Sequence, residues 1–533
     1  MKKLFYNILM FASLGCALTL TSCRQDFEEI NSSPNQPLTA PSSAILNSAV
    51  KELMDATRGP FSSGRMFLPW VQYSAQINYT EEDRYRFREN VNQALYRDYY
   101  YVARDFKFIL DMNTDPETMV AASTYGPNSN QVAVSRIMLS YVFSQLADTY
   151  GDIPYYSYGN PDADFQGLDV LKYPNPKFAS QEKIYTDILS ELKAASDMIN
   201  TSQPIFNGTY ATGDQIYGGN STKWKKFANS LRLRIATRLK GAVPTAQAHI
   251  DDAIAAGVMT GNDDNAQLTY QTIATFAAPM YIGFVVDARL DFQPADTFVK
   301  TLKAEKGPFG IDPRLQKMIA PKGASITSVA NNSYSSSTDL SNYVGMPYGV
   351  VNAEAPKQAE ENRTSNFANP VLRSDATLTF MEYSEVEFLL SEANGWDQAH
   401  YENGVKASME LWGVSASEIS TYLTSLAPAS AENVISQKWI ALYTQPMEAW
   451  SEYRRTGYPS FLLKPGQTNN YLVPDEDGNT TYTFQSLVSG LTDLPNRVTY
   501  PINLGTLNPT NYVAAQQAVG GDKMDTKLIW DRN

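Results

Sequence analysis

Two cysteines and two histidines in 533 residues are too few for most of the chemistry that short motifs encode. His249 and His400 lie far apart, each inside a helical pattern, which suits structural or surface roles better than shared metal ligation. There is no H-E-x-x-H, G-x-S-x-G, P-loop or C-x-x-C, so zinc, serine-hydrolase and phosphate-binding readings lack their residues. Charge is scarce at 19%, and its balance of 43 basic to 56 acidic residues, net −13, excludes nucleic acid as a partner. The one long apolar run, Leu4 to Leu20, is interrupted by Asn7, Ser13 and Thr19 and stops at a cysteine, so it does not read as a spanning helix. With those motifs absent the chain does not read as an enzyme, although a pair of carboxylates for glycoside hydrolysis leaves no spacing signature and keeps a surface hydrolase as the rival class.

That apolar run follows Lys2 and Lys3 and leads into Leu20-Thr21-Ser22-Cys23, a lipobox. Residues 1–22 read as a lipoprotein signal peptide and Cys23 as the acylated first residue of the mature chain. Each buried CH2 of an acyl chain contributes roughly 0.8 kcal/mol, so two or more chains anchor stably and membrane contact needs only the lipid. Cys16 leaves with the signal and Cys23 is consumed by the anchor, so the exported domain must fold without a disulfide. Residues 23–41, with Pro34, Pro37 and Pro41 among Asn and Ser, read as a tether. Length alone suggests two or more lobes for the remainder.

Beyond the tether the pattern is helical. Ile45, Leu46, Ala49, Val50, Leu53 and Met54 recur at three and four before Gly59-Pro60 ends the run. Further helices are predicted over about 62–75, 90–112, 130–149, 181–199, 245–256 and 400–412. Trp224, Phe227, Leu231, Ile235 and Leu239 form an apolar stripe whose basic flank, Lys225, Arg232, Arg234 and Arg238, reads as solvated. Residues 321–380 show almost no periodicity and form a long irregular insertion. Ser384 with Glu387 predicts a capping box, Pro446 a break within a helix over 432–455, and Asp477-Gly478 a hairpin.

What the sequence has in abundance is aromatic: 12% Phe, Trp and Tyr, including 33 tyrosines. Sugar C–H faces stack on such rings while hydroxyls take Asn, Gln, Asp and Arg at the rim, and peptides use similar surfaces. Candidate platforms are Trp70, Tyr73, Tyr79 and Tyr85 around the first charged loop, and Tyr281 with Phe284 in a low-charge stretch; each also reads as a core ring. No cofactor is implied. Asp475-x-Asp477-Gly478 starts like a calcium loop without its later Glu, and Asn262-Asp263-Asp264-Asn265 reads as a solvated turn, so structural calcium is the one metal the sequence leaves open.

Several separated segments carry a family resemblance. They are Asp26-Phe27-Glu28-Glu29-Ile30-Asn31, Tyr150-Gly151-Asp152-Ile153-Pro154-Tyr155, Tyr217-Gly218-Gly219-Asn220 running into Lys223-Trp224, Asp312-Pro313-Arg314-Leu315, Gln437-Lys438-Trp439, Glu448-Ala449-Trp450 with Arg454-Arg455, Pro495-Asn496-Arg497 and Gly520-Gly521-Asp522. Together, in this order, they resemble SusD/RagB-type outer-membrane lipoproteins, most closely the SusD-like branch. The resemblance implies a mostly α fold, a tetratricopeptide-like helix-turn-helix scaffold with a loop-rich irregular part and a few short strands, as a single domain over 42–533. It also implies an outer-membrane, lipid-anchored protein facing the cell exterior, which captures oligosaccharides and delivers them to a SusC-type TonB-dependent transporter. A peptide receptor of the RagB kind is the alternative. No fixed 34-residue repeat is visible, and no binding residue carries over from the motifs.

Overall fold

A central helix buried on every side sets the architecture. In the computed structural model, which describes residues 40–531, all residues from Asn130 to Tyr150 of helix α3 are buried. Helices α1 (Ser42–Arg58), α2 (Glu89–Thr114), α3 (Asn128–Tyr150), α4 (Gln181–Met198), α5 (Ser221–Arg238) and α6 (Ala246–Ala256) pack each against the next in chain order. A second helical group, α7 (Tyr383–Ala393), α8 (Gln398–Leu411), α9 (Ala416–Thr424), α10 (Ala431–Ala441) and α11 (Pro446–Thr456), joins the first where α7 packs on α5. Successive helix pairs stacked this way form a tetratricopeptide-like scaffold. Ser42–Asn533 groups as one compact unit. The lipobox, Cys23 and the tether up to residue 39 lie outside the described residues.

Several predicted boundaries hold because their signals are local. Helix α10 ends at Ala441, a 3-10 turn follows, and α11 restarts with Pro446 at its first position, where a missing N–H costs nothing. The Asp477-Gly478 hairpin pairs β7 (Thr468–Asn470) with β8 (Thr481–Thr483). The capping box falls elsewhere: α7 starts after Glu382, whose carboxylate accepts from Ser384 Oγ, and the reciprocal box forms at Ser415 and Glu418 on α9. The helix expected over 62–75 is broken into a π turn (Ser63–Phe67), one α turn (Leu68–Trp70) and strand β1 (Ser74–Gln76). Gln72 sits at φ 58° because its buried amide is held by Leu463 O, 2.7 Å, and Thr297 Oγ1, 2.8 Å, so tertiary contacts override helical periodicity.

The irregular insertion is ordered by strand pairs. β4 (Ile319–Ala320) pairs with β5 (Asn366–Phe367), and β6 (Thr377–Met381) pairs with β2 (Ala266–Thr269), all antiparallel. β1 pairs with β3 (Phe292–Pro294), which ties the segment after α1 to the loop-rich part.

The basic flank of α5 is not solvated beyond Lys225, which stays partly exposed. Arg232, Arg234 and Arg238 are buried, and every residue from Phe227 to Arg238 is covered. Arg234 Nε holds Glu385 at 2.7 Å; Arg238 holds Asp148 at 2.6 Å and also Glu448. Lys438 lies 3.1 Å from Glu452, and Arg455 bridges Glu452 and Glu392. Arg454 donates to the carbonyls of Asp148 and Asn496 and covers the Trp450 ring at 3.4 Å. Arg497 donates to Tyr150 O and pairs with Asp522; Arg314 pairs with Asp312 and reaches Gln437. The scattered motifs therefore meet in space: each cation of one segment is answered by a carboxylate or carbonyl of another, as burial of charge requires.

Candidate functional site

The helix stop after α1 builds the first wall. Gly59-Pro60 turns the chain so that Phe61 stands 51% exposed, the most exposed phenylalanine but one among the described residues. The turn closes against a second loop: a Cβ on Gly283 would lie 2.4 Å from Pro60 Cγ, so only glycine permits that approach. The next wall is the charged loop that follows β1. Tyr79 and Tyr85 take left-handed backbone, φ 63° and 72°, an arrangement that costs energy and persists because neighbours hold it. Thr80 N donates to Asn352 Oδ1 at 3.0 Å, Gln76 N to Asp83 Oδ2 at 2.8 Å, and Tyr348 Oη to Asp83 O at 2.7 Å.

Three arginines surround the half-buried Tyr79 ring. Their guanidinium carbons lie 4.2 Å (Arg88), 5.1 Å (Arg65) and 6.0 Å (Arg289) from its centroid, and Arg65 also lies 5.7 Å from Phe61. Such contacts hold a ring in place at roughly 0.5–1 kcal/mol each. None of the three charges is free. Arg65 pairs with Glu82 at 2.9 Å, Arg88 with Glu82 at 3.0 Å and Glu81 at 3.6 Å, and Arg289 with Asp291 at 2.8 Å. Each guanidinium is thus paired in place, and burial pushes the shared Glu82 carboxyl up to about 7 against the pull of Arg65 and Arg88.

Depressions flank it. A cleft of about 420 Å³ is lined by Ile77, Asn78, Tyr79, Asn352 and Ala353. A groove of about 830 Å³ runs beside Phe61 between α1, α2 and the 274–283 loop, with Pro60, Pro279 and Ile282 as apolar wall. Its acidic lining is Glu52, Asp55 and Asp98, against Lys51. Burial, then the nearby Asp105 and Asp98, raises the Glu52 carboxyl above its ordinary range. Lys51 and Tyr270 Oη already occupy Asp55, at 2.5 Å and 2.6 Å. This surface can stack rings on Phe61, hydrogen-bond through Asn78 and Asn352, and repel anions from the groove.

The six rings singled out in the sequence separate by burial. Trp70, Tyr73 and Tyr85 are fully buried and present no face to a ligand. Trp70 packs on Phe67 and Trp450 with centroids 5.7 and 5.3 Å apart, Tyr73 stacks on Trp439 at 5.2 Å, and Tyr85 meets Phe484 edge-on at 5.6 Å. Phe284 is likewise core. Tyr79 and Tyr281 remain half-buried. Phe61 is the ring that periodicity missed; its signal was the place directly after the Gly59-Pro60 stop, where an apolar residue has left the helix face. In the two turns considered for calcium, one carboxylate each is already engaged. Asp475 accepts from Asp477 N, Asn479 N and Asn479 Nδ2, and Asp264 from Lys226 and Thr260. His400 Nδ1 contacts Glu387 at 2.7 Å, bracing α8 on α7.

Comparison with known proteins fits this arrangement. A family model described as "Starch-binding associating with outer membrane" matches residues 34–476, and one described as "Susd and RagB outer membrane lipoprotein" matches residues 427–531. No curated protein matches the sequence. Among solved structures, a chitin-binding protein is 25% identical, with a TM-score of 0.71 over 92% of this chain and 100% of its own. A SusD homologue from Parabacteroides distasonis is 23% identical, with a TM-score of 0.70 over 93% and 98%. A Bacteroidetes SusD-like protein, 23% identical over 93% and 100%, gives 0.68. No helix among the described residues is long and apolar enough to cross a membrane. With a family model covering most of its length and the same fold in these structures, the chain belongs to the SusD-like family of nutrient-binding outer-membrane proteins.

Proposed function

We propose that this protein captures neutral oligosaccharides at the cell exterior and hands them to a SusC-type TonB-dependent transporter, held to the outer membrane by acyl chains on Cys23. The observation that carries the reading is the Phe61–Tyr79 cluster: an exposed ring beside a braced one, its arginines all paired, with open depressions on both sides. Capture by stacking needs no proton transfer, and a neutral sugar has no charge for the paired arginines to answer. The chitin-binding relative supports a glycan over other nutrients. Tyr281, at the 274–283 loop, is the third ring we assign to the ligand surface. The acidic groove favours the peptide alternative only for cationic peptides.

The test is calorimetric titration of the purified chain with chitin oligosaccharides, neutral plant-type oligosaccharides and a tryptic peptide digest. Saturable binding of a neutral sugar, weakened by Phe61→Ala, is the expected result. Binding of peptides alone, or sugar binding indifferent to Phe61, refutes the assignment. Co-purification with a barrel transporter encoded beside it tests the hand-over step.

A further inference from the structure

A second cavity, of about 400 Å³, is lined by Arg58, Gln267, Phe367, Glu382, Trp412 and Tyr443, among others, and shares none of its lining with the groove or cleft beside Phe61. Arg58 closes α1 and is buried, yet among the described residues it makes no ion pair; its guanidinium meets only neutral oxygens there, at 3.4 Å (Thr57 O), 3.3 Å (Tyr141 Oη) and 3.2 Å (Thr379 O), and its Nε has no partner among them. Arg234, Arg238, Arg314 and Arg497, buried likewise, each hold a carboxylate. A buried guanidinium left without an anion is costly unless something supplies one.

Glu382, just before α7, mirrors it. The side chain is 2% exposed, accepts from Ser384 Oγ at 3.0 Å, and makes no ion pair among the described residues. Burial pushes its carboxyl up to about 7, and the bonds from Ser384 and Gln445 and the charge of Arg234 offset this only in part. Tyr443 Oη, Trp412 Nε1 and Gln267 Oε1 are also buried without partners. One small cavity therefore carries an unanswered cation, an unanswered carboxyl, three unspent hydrogen-bonding groups and aromatic walls.

We propose that this cavity is a second ligand site, for a zwitterion of amino-acid or dipeptide size, its carboxylate meeting Arg58, its ammonium meeting Glu382, and its side chain lying among Phe367, Trp412 and Tyr443. A volume near the lower end of the roughly 300–1,000 Å³ range of ligand pockets suits a small molecule and excludes a polysaccharide chain. A plain anion would leave Glu382 unanswered, and a plain amine would leave Arg58 so. The site stands apart from the oligosaccharide surface and does not depend on that reading.

The probes are L-phenylalanine and L-leucyl-L-phenylalanine as zwitterions, L-phenylalaninamide without the carboxylate, and N-acetyl-L-phenylalanine without the ammonium. They are titrated against the full chain by calorimetry and by the fluorescence of Trp412, with Trp412→Phe as control. Saturable binding of at least one zwitterion, with each blocked analogue roughly tenfold or more weaker, is expected. Arg58→Gln should erase the preference over the amide, Glu382→Gln the preference over the N-acetyl compound, and neither should alter oligosaccharide binding. The analogue series is read on the unmodified protein, so a variant that fails to fold does not remove the test. No saturable binding of either zwitterion up to about 1 mM, the weak end of specific affinity, would leave a merely hydrated cavity and overturn the proposal. Equal binding of zwitterion and blocked analogues would overturn it as well.

Discussion

Replacing Arg238 by methionine tests whether the motif segments are held together by compensated buried charge. Arg238 binds Asp148 at 2.6 Å and Glu448, with Glu452 at 3.6 Å, and all three carboxylates are at most 4% exposed. Methionine fills much of the volume but leaves Asp148 with the Tyr185 hydrogen bond at 2.6 Å and the charge of Arg454, and Glu448 with Arg234 at 3.8 Å. Removing one partner of a buried pair costs about 3–5 kcal/mol. Burial already raises the Asp148 carboxyl, and Arg238 is the largest influence holding it down, so the variant should raise it further. A carboxyl whose folded pKa lies above its unfolded value loses stability as pH rises between the two. The deficit should accordingly be smaller at pH 5 than at pH 8. Urea unfolding followed by circular dichroism at both values measures it, and Glu448→Gln added to Arg238→Met should restore part of the loss. A deficit under about 1 kcal/mol, or one equal at both pH values, would refute the argument.

Phe61→Ala should weaken oligosaccharide binding by about 1–2 kcal/mol, roughly five- to thirtyfold, with unchanged unfolding, as titration and urea melts together would show. Trp70→Ala should do the reverse at the level of stability, losing about 3–5 kcal/mol because a fully buried ring leaves a cavity against Trp450. Gly283→Ala places a Cβ where Pro60 stands, 2.4 Å away, so it should move the Phe61 turn and reduce oligosaccharide affinity more than it reduces stability. Glu382→Gln removes a carboxyl pushed from 4.5 to about 7; the unmodified protein should lose roughly 3 kcal/mol relative to the variant as pH rises across that window, and a difference independent of pH would contradict it.

The sequence by itself determined what local chemistry can determine. The run at Ile45 to Met54, the stop at Gly59-Pro60, the restart at Pro446 and the hairpin at Asp477-Gly478 need only neighbours three to six residues away, and all four appear in the structure. The ordered motifs pointed to the family before any contact between them was known. Only the tertiary structure decided which polar residues are buried, because the groups that compensate them come from distant parts of the chain. Arg234 meets Glu385 across 151 positions and Arg238 meets Glu448 across 210, so their side of α5 looked solvated when read from α5 alone. The candidate site followed the same rule. Trp70, Tyr73 and Tyr85 share the neighbourhood and composition of Tyr79, yet their exposure was set by Trp450, Trp439 and Phe484. Phe61, Tyr79, Arg289 and Asn352 come from four segments that no periodicity connects; close approach at Gly283 and the bond from Thr80 to Asn352 bring them to one surface.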